Sequence, residues 1–244
     1  MEFKALNGWY SLQLFWKINW KDYKQVDVET RKKQLAELFG LVEEFEEASE
    51  ENKGSFTFGR VIGHKSDFAV MLLHEDIQQL IDWQDALKRL DLFDQAELNI
   101  SYLSVNEATS YLVEKLTLEN PHIQKKLYPK FGAEKYFCFY PMNKKREWFS
   151  LPVSERQRMM ASHGNVGASY AEKLGHYVSN SFGLDDHQWA VTLWGDNFEE
   201  FKNIVYEMRF DEASAVYGEF PYFILGEQLQ TEDLNGYFLG RGQQ

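Results

Sequence analysis

Residues that could carry out oxidative or metal chemistry are concentrated between positions 140 and 164. Tyr140 is followed by Pro141, which restricts the backbone, so we expect the phenol to be held in a fixed direction. Lys144 follows four residues later and offers a cation to a carboxylate. His163 lies in a segment with helical periodicity, and a neutral imidazole is a common metal ligand. Each residue alone also has an ordinary structural explanation, since most histidines bind no metal and the chain has 13 tyrosines.

A run of positive charge surrounds this tyrosine and lysine. Between Pro121 and Arg146 there are seven basic side chains and one acidic one, in a chain whose net charge is −12. The basic residues are Lys125, Lys126, Lys130, Lys135, Lys144, Lys145 and Arg146. A solvated linker and a binding site for an anion both explain such a run, and the charge pattern alone leaves both open.

The composition is that of a globular protein. The 244 residues are 44 % apolar and 16 % aromatic, which is enough to bury a core and argues against disorder. A net charge of −12 repels phosphate backbones and anionic lipids, so we expect neither a nucleic-acid nor a membrane partner. The single cysteine, Cys138, cannot form an internal disulfide, and no apolar run is long enough for a signal peptide or a membrane span. We therefore expect a cytoplasmic protein.

The order of the predicted strands and helices occurs twice, at a spacing of about 125 residues. Each half has the order strand, helix, strand, strand, helix, strand, which is the split β-α-β or ferredoxin-like unit of the α+β class. We expect the two repeats to pack sheet to sheet, as in a dimeric α+β barrel, because each sheet would otherwise leave one face bare. The predicted organisation is an N-terminal half at 1–115 without a ligand site, a basic connecting segment at 116–135 and a C-terminal half at 136–244 with the ligand site.

The C-terminal half places the candidate residues on different elements. The pattern predicts a strand that ends at Tyr140, a helix from Ser154 to about Tyr177, a strand from there to Phe182 and a further helix from Phe198 to Met208. His163 is therefore expected on a helix, where Gly164 leaves space beside it for a flat ligand.

Three motifs in this half and its surroundings occur together. They are the Tyr140-Pro-Met-x-Lys144 run, the Arg158-Met-Met-x-x-His163-Gly164 helix and the stretch Val205–Ser214. In combination they resemble the coproheme decarboxylases, the Gram-positive branch of the chlorite-dismutase-like family, and the similarity extends over nearly the whole chain. The resemblance implies an enzyme that uses hydrogen peroxide to remove the 2- and 4-propionates of iron coproporphyrin III (coproheme) as carbon dioxide, which leaves vinyl groups and gives heme b. It also implies a homopentamer.

The resemblance assigns roles by position. His163 falls on the proximal iron ligand, Tyr140 on the tyrosine that becomes a radical, and Lys144 on the lysine near the second propionate. Other pocket positions are matched by Lys126, Met142, Arg209 and Ser214. A substrate with four carboxylates needs cations and hydroxyl groups as partners in a buried site, and these residues include both.

The sequence departs from the family pattern at three places. The position thirteen residues after the proximal histidine, commonly glutamine, is His176, which titrates and could accept the proton of peroxide. About four residues are missing between Arg146 and Trp148 compared with many relatives, so access to the pocket is expected to differ. Lys126 stands where relatives commonly have arginine. A guanidinium can donate two parallel hydrogen bonds to one carboxylate, whereas the lysine ammonium acts as a single point charge.

Three other functions are compatible with parts of the pattern. A heme-binding or heme-transfer protein would need His163 but would require neither Tyr140 nor Lys144. Chlorite dismutation relies in its branch on a distal arginine, and the stretch 173–178 contains none. A purely structural oligomer leaves the basic segment unexplained. The combination of motifs therefore favours decarboxylation.

Overall fold

A computed structural model describes residues 5–109 and 116–240 of the chain. The boundary predicted at residue 115 lies outside these ranges. No helix within them is both long enough and apolar enough to cross a membrane.

The strands alternate with helices in the order expected for two β-α-β-β-α-β repeats. The strands are β1 (Ala5–Ile18), β2 (Gly54–Ile62), β3 (Phe68–His74), β4 (Ala96–Thr109), β5 (Tyr136–Lys144), β6 (Gly175–Asn180), β7 (Trp189–Gly195), β8 (Gly218–Glu219) and β9 (Ile224–Leu229). The helices are α1 (Trp20–Tyr23), α2 (Val28–Glu50), α3 (Ile77–Arg89), α4 (Pro121–Leu127), α5 (Arg146–Ser150), α6 (Val153–Ser169), α7 (Phe198–Met208), α8 (Glu212–Ala215) and α9 (Asp233–Leu239). The α+β class predicted from the sequence is confirmed.

The described residues form two compact units. Unit 1 comprises residues 5–8, 104–109, 116–129 and 134–225, and unit 2 comprises residues 9–103, 130–133 and 226–240. The chain enters each unit more than once, and β4 and β9 each contribute residues to both. The division into consecutive halves inferred from the sequence, and the packing of one sheet on the other, stay predictions.

Unit 2 has the strand order β4-β1-β3-β2 of a ferredoxin-like sheet, with antiparallel β1–β3 and β2–β3 pairs. Leu14 and Phe58 lie opposite Val70 on its two neighbours, so their side chains share one face. Helices α2 and α3 pack on that face with an apolar stripe in which Leu38 and Phe45 are fully buried. This core is built mainly of apolar and aromatic side chains.

Unit 1 is built around the antiparallel order β5-β7-β6, and β4 adds to it through a pair with β6. Side chains alternate between two faces along each strand. One face carries Phe139 and Tyr177 and is buried, whereas the other carries Tyr140 and His176 and lies towards α6 and α7. The second face positions the candidate site.

The end of α6 differs from the sequence prediction. The helix ends at Ser169 rather than near Tyr177, and a turn at 170–174 leads into β6 at Gly175. A Cβ atom at Gly175 would lie 2.1 Å from the Trp194 indole nitrogen, so this position beside the ring has no room for a side chain. His176 consequently lies on a strand of the sheet.

Candidate active site

Three of the candidate residues, Tyr140, Met142 and His176, lie in rows across the sheet face of unit 1. Opposed residues of antiparallel strands point to the same side, so Tyr140, Val191 and Val178 form one row across β5, β7 and β6. The neighbouring rows are Cys138–Leu193–His176 and Met142–Trp189–Asn180. The Tyr140 end of this face packs under α6 and α7, whereas His176 and Val178 are exposed. The helices therefore cover only part of the face.

Tyr140 lies at the covered end of the face. Its ring is 4.7 Å from the Phe223 ring and 5.9 Å from the Phe220 ring, measured between centroids. Burial raises the pKa of the phenol well above its usual value of 10, with Cys138 adding to the effect and Arg209 opposing it. The phenol is therefore neutral at physiological pH and cannot act as a base. Its hydroxyl makes no hydrogen bond to the described parts of the chain.

His163 projects from the middle of α6 and is partly exposed, with 26 % of its side chain accessible. Its Nδ1 lies 2.8 Å from Oδ2 of Asp211. A carboxylate oxygen only accepts a hydrogen bond, so Nδ1 carries a proton, and in the neutral imidazole Nε2 has the lone pair. A side chain at Gly164 would meet nothing within 4 Å, so the helix surface beside His163 is open. The imidazole is thus oriented to offer Nε2 as a ligand.

Asp211 is held in place by the backbone of α8. It is buried, and its carboxylate caps the helix by accepting hydrogen bonds from the amides of Ala213 and Ser214, at 3.4 and 3.1 Å. The Ser214 hydroxyl lies 3.4 Å from Nδ1 of His163, on the same side of the ring as the carboxylate. The capping aspartate therefore fixes the orientation of His163.

Lys144 ends β5 and points towards the same aspartate. Its side chain is buried, and its ammonium donates to the carbonyl oxygen of Ala213 and lies 4.8 Å from the Trp148 ring centroid. Burial lowers the pKa of this ammonium to about 8, although Asp211 acts in the opposite direction. Lys144 is thus a cation at neutral pH that releases its proton about two pH units earlier than an exposed lysine.

Arg209 and Met142 occupy the edges of this site. Arg209 follows the end of α7, is exposed, and stacks its guanidinium carbon 4.2 Å from the centroid of the Phe220 ring, which also neighbours Tyr140. The structure shows no ion pair between Arg209 and a nearby acid among the described residues. Met142 is half-buried in the row with Trp189.

A second group of predicted residues lies at the open end of the face. His176 is exposed on β6, and desolvation by the surrounding chain, Lys126 and His122 all lower its pKa below the ordinary value of 6.5. Lys126 of α4 is half-buried, and burial lowers its pKa as well. His176 is therefore a neutral imidazole at physiological pH, as a proton acceptor must be.

A surface cleft of about 550 Å³ lies near the end of β5 but has a different character. Its lining is polar and charged: Asn143, Lys144, Lys145, Arg146, Glu147, Asp186, Gln188 and Glu219. Neither Tyr140 nor His163 lines it. We therefore place the candidate site on the sheet face between Tyr140 and His176, and Lys144 is the candidate residue that also borders this cleft.

Comparisons with known proteins agree with the motifs. A model of the chlorite dismutase family matches residues 31–229. The chain belongs to the chlorite dismutase family.

Relatives within the family and solved structures extend this result. The chain is 36 % identical over 242 residues to proteins named coproheme decarboxylase from Staphylococcus carnosus and Staphylococcus saprophyticus, covering 96 % of this chain and 97 % of each relative. A heme-binding protein from Thermus thermophilus has a TM-score of 0.93 at 35 % identity, with 97 % of both chains covered. A mutant chlorite dismutase from Candidatus Nitrospira defluvii has a TM-score of 0.80 at 18 % identity, covering 96 % of this chain and 97 % of that one, which shows a common fold.

Three residues of this family member were missed by the sequence reasoning. Asp211 stands 48 residues from the His163 that it orients, and only its place before a short helix gave any signal. Glu107 of β4 lies on the same face, accepts a 3.5 Å hydrogen bond from Asn180, and has its pKa raised by burial. His122, one turn before Lys126 on α4, reaches the neighbourhood of His176, and its spacing from Lys126 was visible in the sequence.

Proposed function

We propose that this protein is a coproheme decarboxylase that uses hydrogen peroxide to convert the 2- and 4-propionates of iron coproporphyrin III to vinyl groups, which yields heme b. The observation that carries the proposal is the full-length similarity to proteins of that name, together with an oriented histidine and a buried tyrosine in unit 1. Each propionate consumes one peroxide and one proton and gives one vinyl group, one carbon dioxide and two waters. The chain must therefore bind carboxylates, move protons and provide a site of one-electron oxidation.

The residues present fit an iron porphyrin. With Nδ1 of His163 donating to Asp211, Nε2 is the nitrogen available to iron, and the open helix surface at Gly164 leaves room for a planar ligand. A hydrogen-bonded carboxylate makes an imidazole a stronger ligand, so Asp211 is expected to tune the iron through His163. When bound, the iron supplies the redox centre at which peroxide is reduced.

Tyr140 is the residue that we expect to be oxidised. Its burial keeps the phenol neutral and surrounds it with the rings of Phe220 and Phe223, which exclude water from a reactive radical. When the oxidised tyrosine takes a hydrogen atom from a propionate side chain, the phenol is restored and can be oxidised again. Met142, two residues further along the same face, is proposed to contact the substrate.

Lys144 and His176 are the proton-handling groups in this proposal. Lys144, with a pKa of about 8, supplies a positive charge to a propionate and a proton near neutral pH. His176 stays neutral to lower pH than a free histidine and accepts the peroxide proton. Arg209, Ser214 and Lys126 are proposed as partners of the other carboxylates.

A heme-binding protein without turnover is the second candidate function. The similarity to the heme-binding protein from Thermus thermophilus supports it. Such a protein would need the His163–Asp211 pair but has no use for a buried, neutral Tyr140. The two functions therefore differ in whether peroxide changes the mass of the bound porphyrin.

The assembly and location of the protein also belong to this proposal. We propose a homopentamer, as the resemblance to the coproheme decarboxylases implies, and measurement of the molar mass in solution by light scattering tests it. A cytoplasmic location is supported by the cysteine content, since the single Cys138 cannot form an internal disulfide, and by the negative net charge.

The deciding experiment is a titration of the purified protein with iron coproporphyrin III and then with hydrogen peroxide. We expect the product mass to fall in two successive steps, each by one carbon dioxide and two hydrogens. In a parallel titration, His163→Ala should shift the Soret band of the bound iron porphyrin, because the axial ligand is lost. Unchanged product mass after peroxide would leave heme binding as the function.

A further inference from the structure

Glu107 of β4 lies on the sheet face of unit 1 that holds the candidate site. Val105 of β4 lies opposite Asn180 of β6 in an antiparallel pair, and residues two apart on a strand point to the same side. Glu107 therefore shares this side of the sheet with Asn180 and His176. The Asn180 side chain agrees with this placement, because its Nδ2 donates a long hydrogen bond of 3.5 Å to Oε1 of Glu107.

Glu107 and His176 are neighbours on adjacent strands. Continued by two residues, the register of the β4–β6 pair places Glu107 opposite Val178, which is two residues from His176. Residues with this diagonal offset lie about 7–8 Å apart, and long side chains bridge that distance. The open end of the face thus presents a carboxyl group and an imidazole to the same ligand.

Burial favours the neutral form of both groups. Desolvation is the main cause that raises the pKa of the Glu107 carboxyl, and the hydrogen bond from Asn180 opposes it. Desolvation is also the main cause that lowers the pKa of His176. Glutamates that act as general acids have their pKa raised by burial in the same direction. The environment of Glu107 is therefore that of an acid, whereas the environment of His176 is that of a base.

No cation balances Glu107 in the part of the chain that the structure describes. Within residues 5–109 and 116–240 it forms no ion pair, and no charged group is among the causes of its pKa shift. Two other half-buried glutamates do have cationic partners: Glu227 is paired with Arg60 and Glu200 with Lys173. A half-buried carboxylate without a cation is costly, so the protonated acid is favoured at this position.

We propose that Glu107 is the acid that supplies the proton consumed with each propionate, beside His176 as the base. The inference rests on the proposed function. Peroxide takes two electrons from the propionate as its oxygen–oxygen bond breaks, and the loss of carbon dioxide leaves the vinyl double bond. The two waters need two hydrogens beyond those of peroxide. One comes from a carbon–hydrogen bond of the propionate, and the other is the proton of the Glu107 carboxyl group, which solvent then replaces.

The proton of Glu107 is needed later than the action of His176. A proton that His176 moves from one peroxide oxygen to the other is not consumed, so the net proton enters only when the second water forms. Lys144 ends β5, three strands away in the order β5-β7-β6-β4, and points towards α8, so it is not the neighbour of His176. Removal of the Glu107 carboxyl should therefore slow product formation and leave the peroxide step intact.

The ligand itself strengthens this acid. A porphyrin over the face excludes water and brings carboxylates, and both effects raise the pKa of Glu107 further. Because Glu107 acts in its protonated form, product formation should fall as pH rises through the pKa of the complex. The other titratable or charged residues on the elements that adjoin β4 are His176 of β6, His122, Lys125 and Lys126 of α4, and Lys17 of β1, which is paired with Asp67.

The first test observes the Glu107 proton in the protein without iron. Infrared spectra between about pH 5 and 8, with and without iron-free coproporphyrin III, would follow the C=O stretch of protonated carboxyl groups. A band that Glu107→Gln lacks and the control Glu97→Gln retains belongs to Glu107, since Glu97 is an exposed glutamate of the same strand. We expect this band to persist to higher pH than those of exposed glutamates and to gain intensity with the porphyrin. Loss of the band at the same pH as exposed glutamates would overturn the proposal.

The second test follows coproheme and peroxide by stopped-flow mixing and product mass. We expect Glu107→Gln to form heme b at least about tenfold more slowly, with the peroxide step within about twofold of the parent rate. Glu107→Asp keeps an acid and should lose less, and Glu97→Gln should match the parent. In Glu107→Ala, formic acid should restore part of the rate because it brings a proton donor, whereas formamide, which has a similar shape, should not.

The outcomes separate the acid from a structural role and from the proposed function. Circular dichroism and a porphyrin affinity within about threefold of the parent would establish that each variant is folded. Equal product formation in Glu107→Gln and Glu97→Gln would overturn the acid, as would equal rescue by formamide and formic acid. A peroxide step slowed in Glu107→Gln as much as in His176→Gln would overturn the assignment to the later proton. A parent protein that yields no heme b loses the proposed function, whereas a parent that yields it no faster than Glu107→Gln loses only the acid.

Discussion

Helices α2 and α6 hold the same place in the two β-α-β-β-α-β repeats but have different surfaces. Helix α2 buries Leu35, Leu38, Leu41, Val42, Phe45, Ala48 and Gln34 against its unit, whereas Met159 is the buried residue of α6. In place of an apolar stripe, α6 carries His163 with Gly164 and Gly167. A helix with a complete apolar stripe buries the sheet face beneath it, whereas a helix with an interrupted stripe leaves part of that face accessible to a ligand.

The sheets beneath the two helices differ in the same way. The face under α2 contains residues such as Leu14, Phe58 and Val70, and all three are buried. The face of unit 1 has Tyr140 at its covered end and the exposed His176 at its open end. Under the proposed function, we therefore expect the same order of elements to give stability in unit 2 and chemistry in unit 1.

The largest effect is expected at the covered end of the unit 1 face. Tyr140→Phe keeps the ring among Phe220 and Phe223 but removes the hydroxyl that can be oxidised, so coproheme should bind almost as tightly while decarboxylation falls at least about 100-fold. The matched control is Tyr136→Phe, which changes a half-buried tyrosine of the same strand. This variant should retain activity. Heme b formed by Tyr140→Phe at the parental rate would exclude the tyrosine from the chemistry.

The next effect tests the closed core of unit 2. Leu38→Ala empties a fully buried position, so the free energy of unfolding of unit 2 should fall by about 2–5 kcal/mol. Val166→Ala, at a half-buried position of α6, should cost less than about 1 kcal/mol because that helix has little core to lose. Thermal unfolding of both variants, without added porphyrin, measures the contrast. Similar losses would mean that α6 is packed as tightly as α2.

The sequence predicted the elements better than the contacts between them. Periodicity placed α7 at 198–208, where the structure has it, since an apolar stripe is a local property. The predicted end of α6 was wrong because the residues from Gly175 onward pair with β7 as a strand, and strand pairing is a tertiary contact that local periodicity does not contain. Asp211 was missed for the same reason: its role depends on a hydrogen bond to a histidine 48 residues away.

The candidate residues show a similar limit. Motifs singled out Lys144 and His163, but the orientation of the Lys144 ammonium towards the Ala213 carbonyl oxygen follows from the position of α8 after folding. The shift of its pKa to about 8 is likewise a property of burial in the folded unit. Residue type and spacing supply the candidate groups, whose roles stay predictions, and packing determines their protonation.

The open end of the unit 1 face is tested by pH. Because the pKa of His176 is lowered below 6.5, the peroxide step should keep its rate to lower pH than an unperturbed histidine would allow, and then fall as the imidazole becomes protonated. His176→Gln keeps a polar group of similar reach, so we expect about tenfold slower peroxide reaction at neutral pH and a flat pH profile. Stopped-flow mixing with peroxide across pH compares the two proteins. Identical rates and profiles would assign His176 a structural role.

The smallest effect is expected from a matched pair of glycines on the two helices. Gly40 of α2 and Gly164 of α6 both lie in open space, where a methyl group meets nothing within 4 Å. Alanine at either position should therefore raise stability by about 0.5–1 kcal/mol, since glycine lowers helix stability. The two variants should differ in ligand binding. Gly164→Ala places a methyl group beside His163, on the surface where a flat macrocycle would lie, so coproheme affinity should fall about threefold, whereas Gly40→Ala should leave it unchanged. If Gly164→Ala and Gly40→Ala bound coproheme equally well, the ligand would not lie on the open surface beside His163. The absence of an apolar stripe on α6 would then need another explanation than ligand binding.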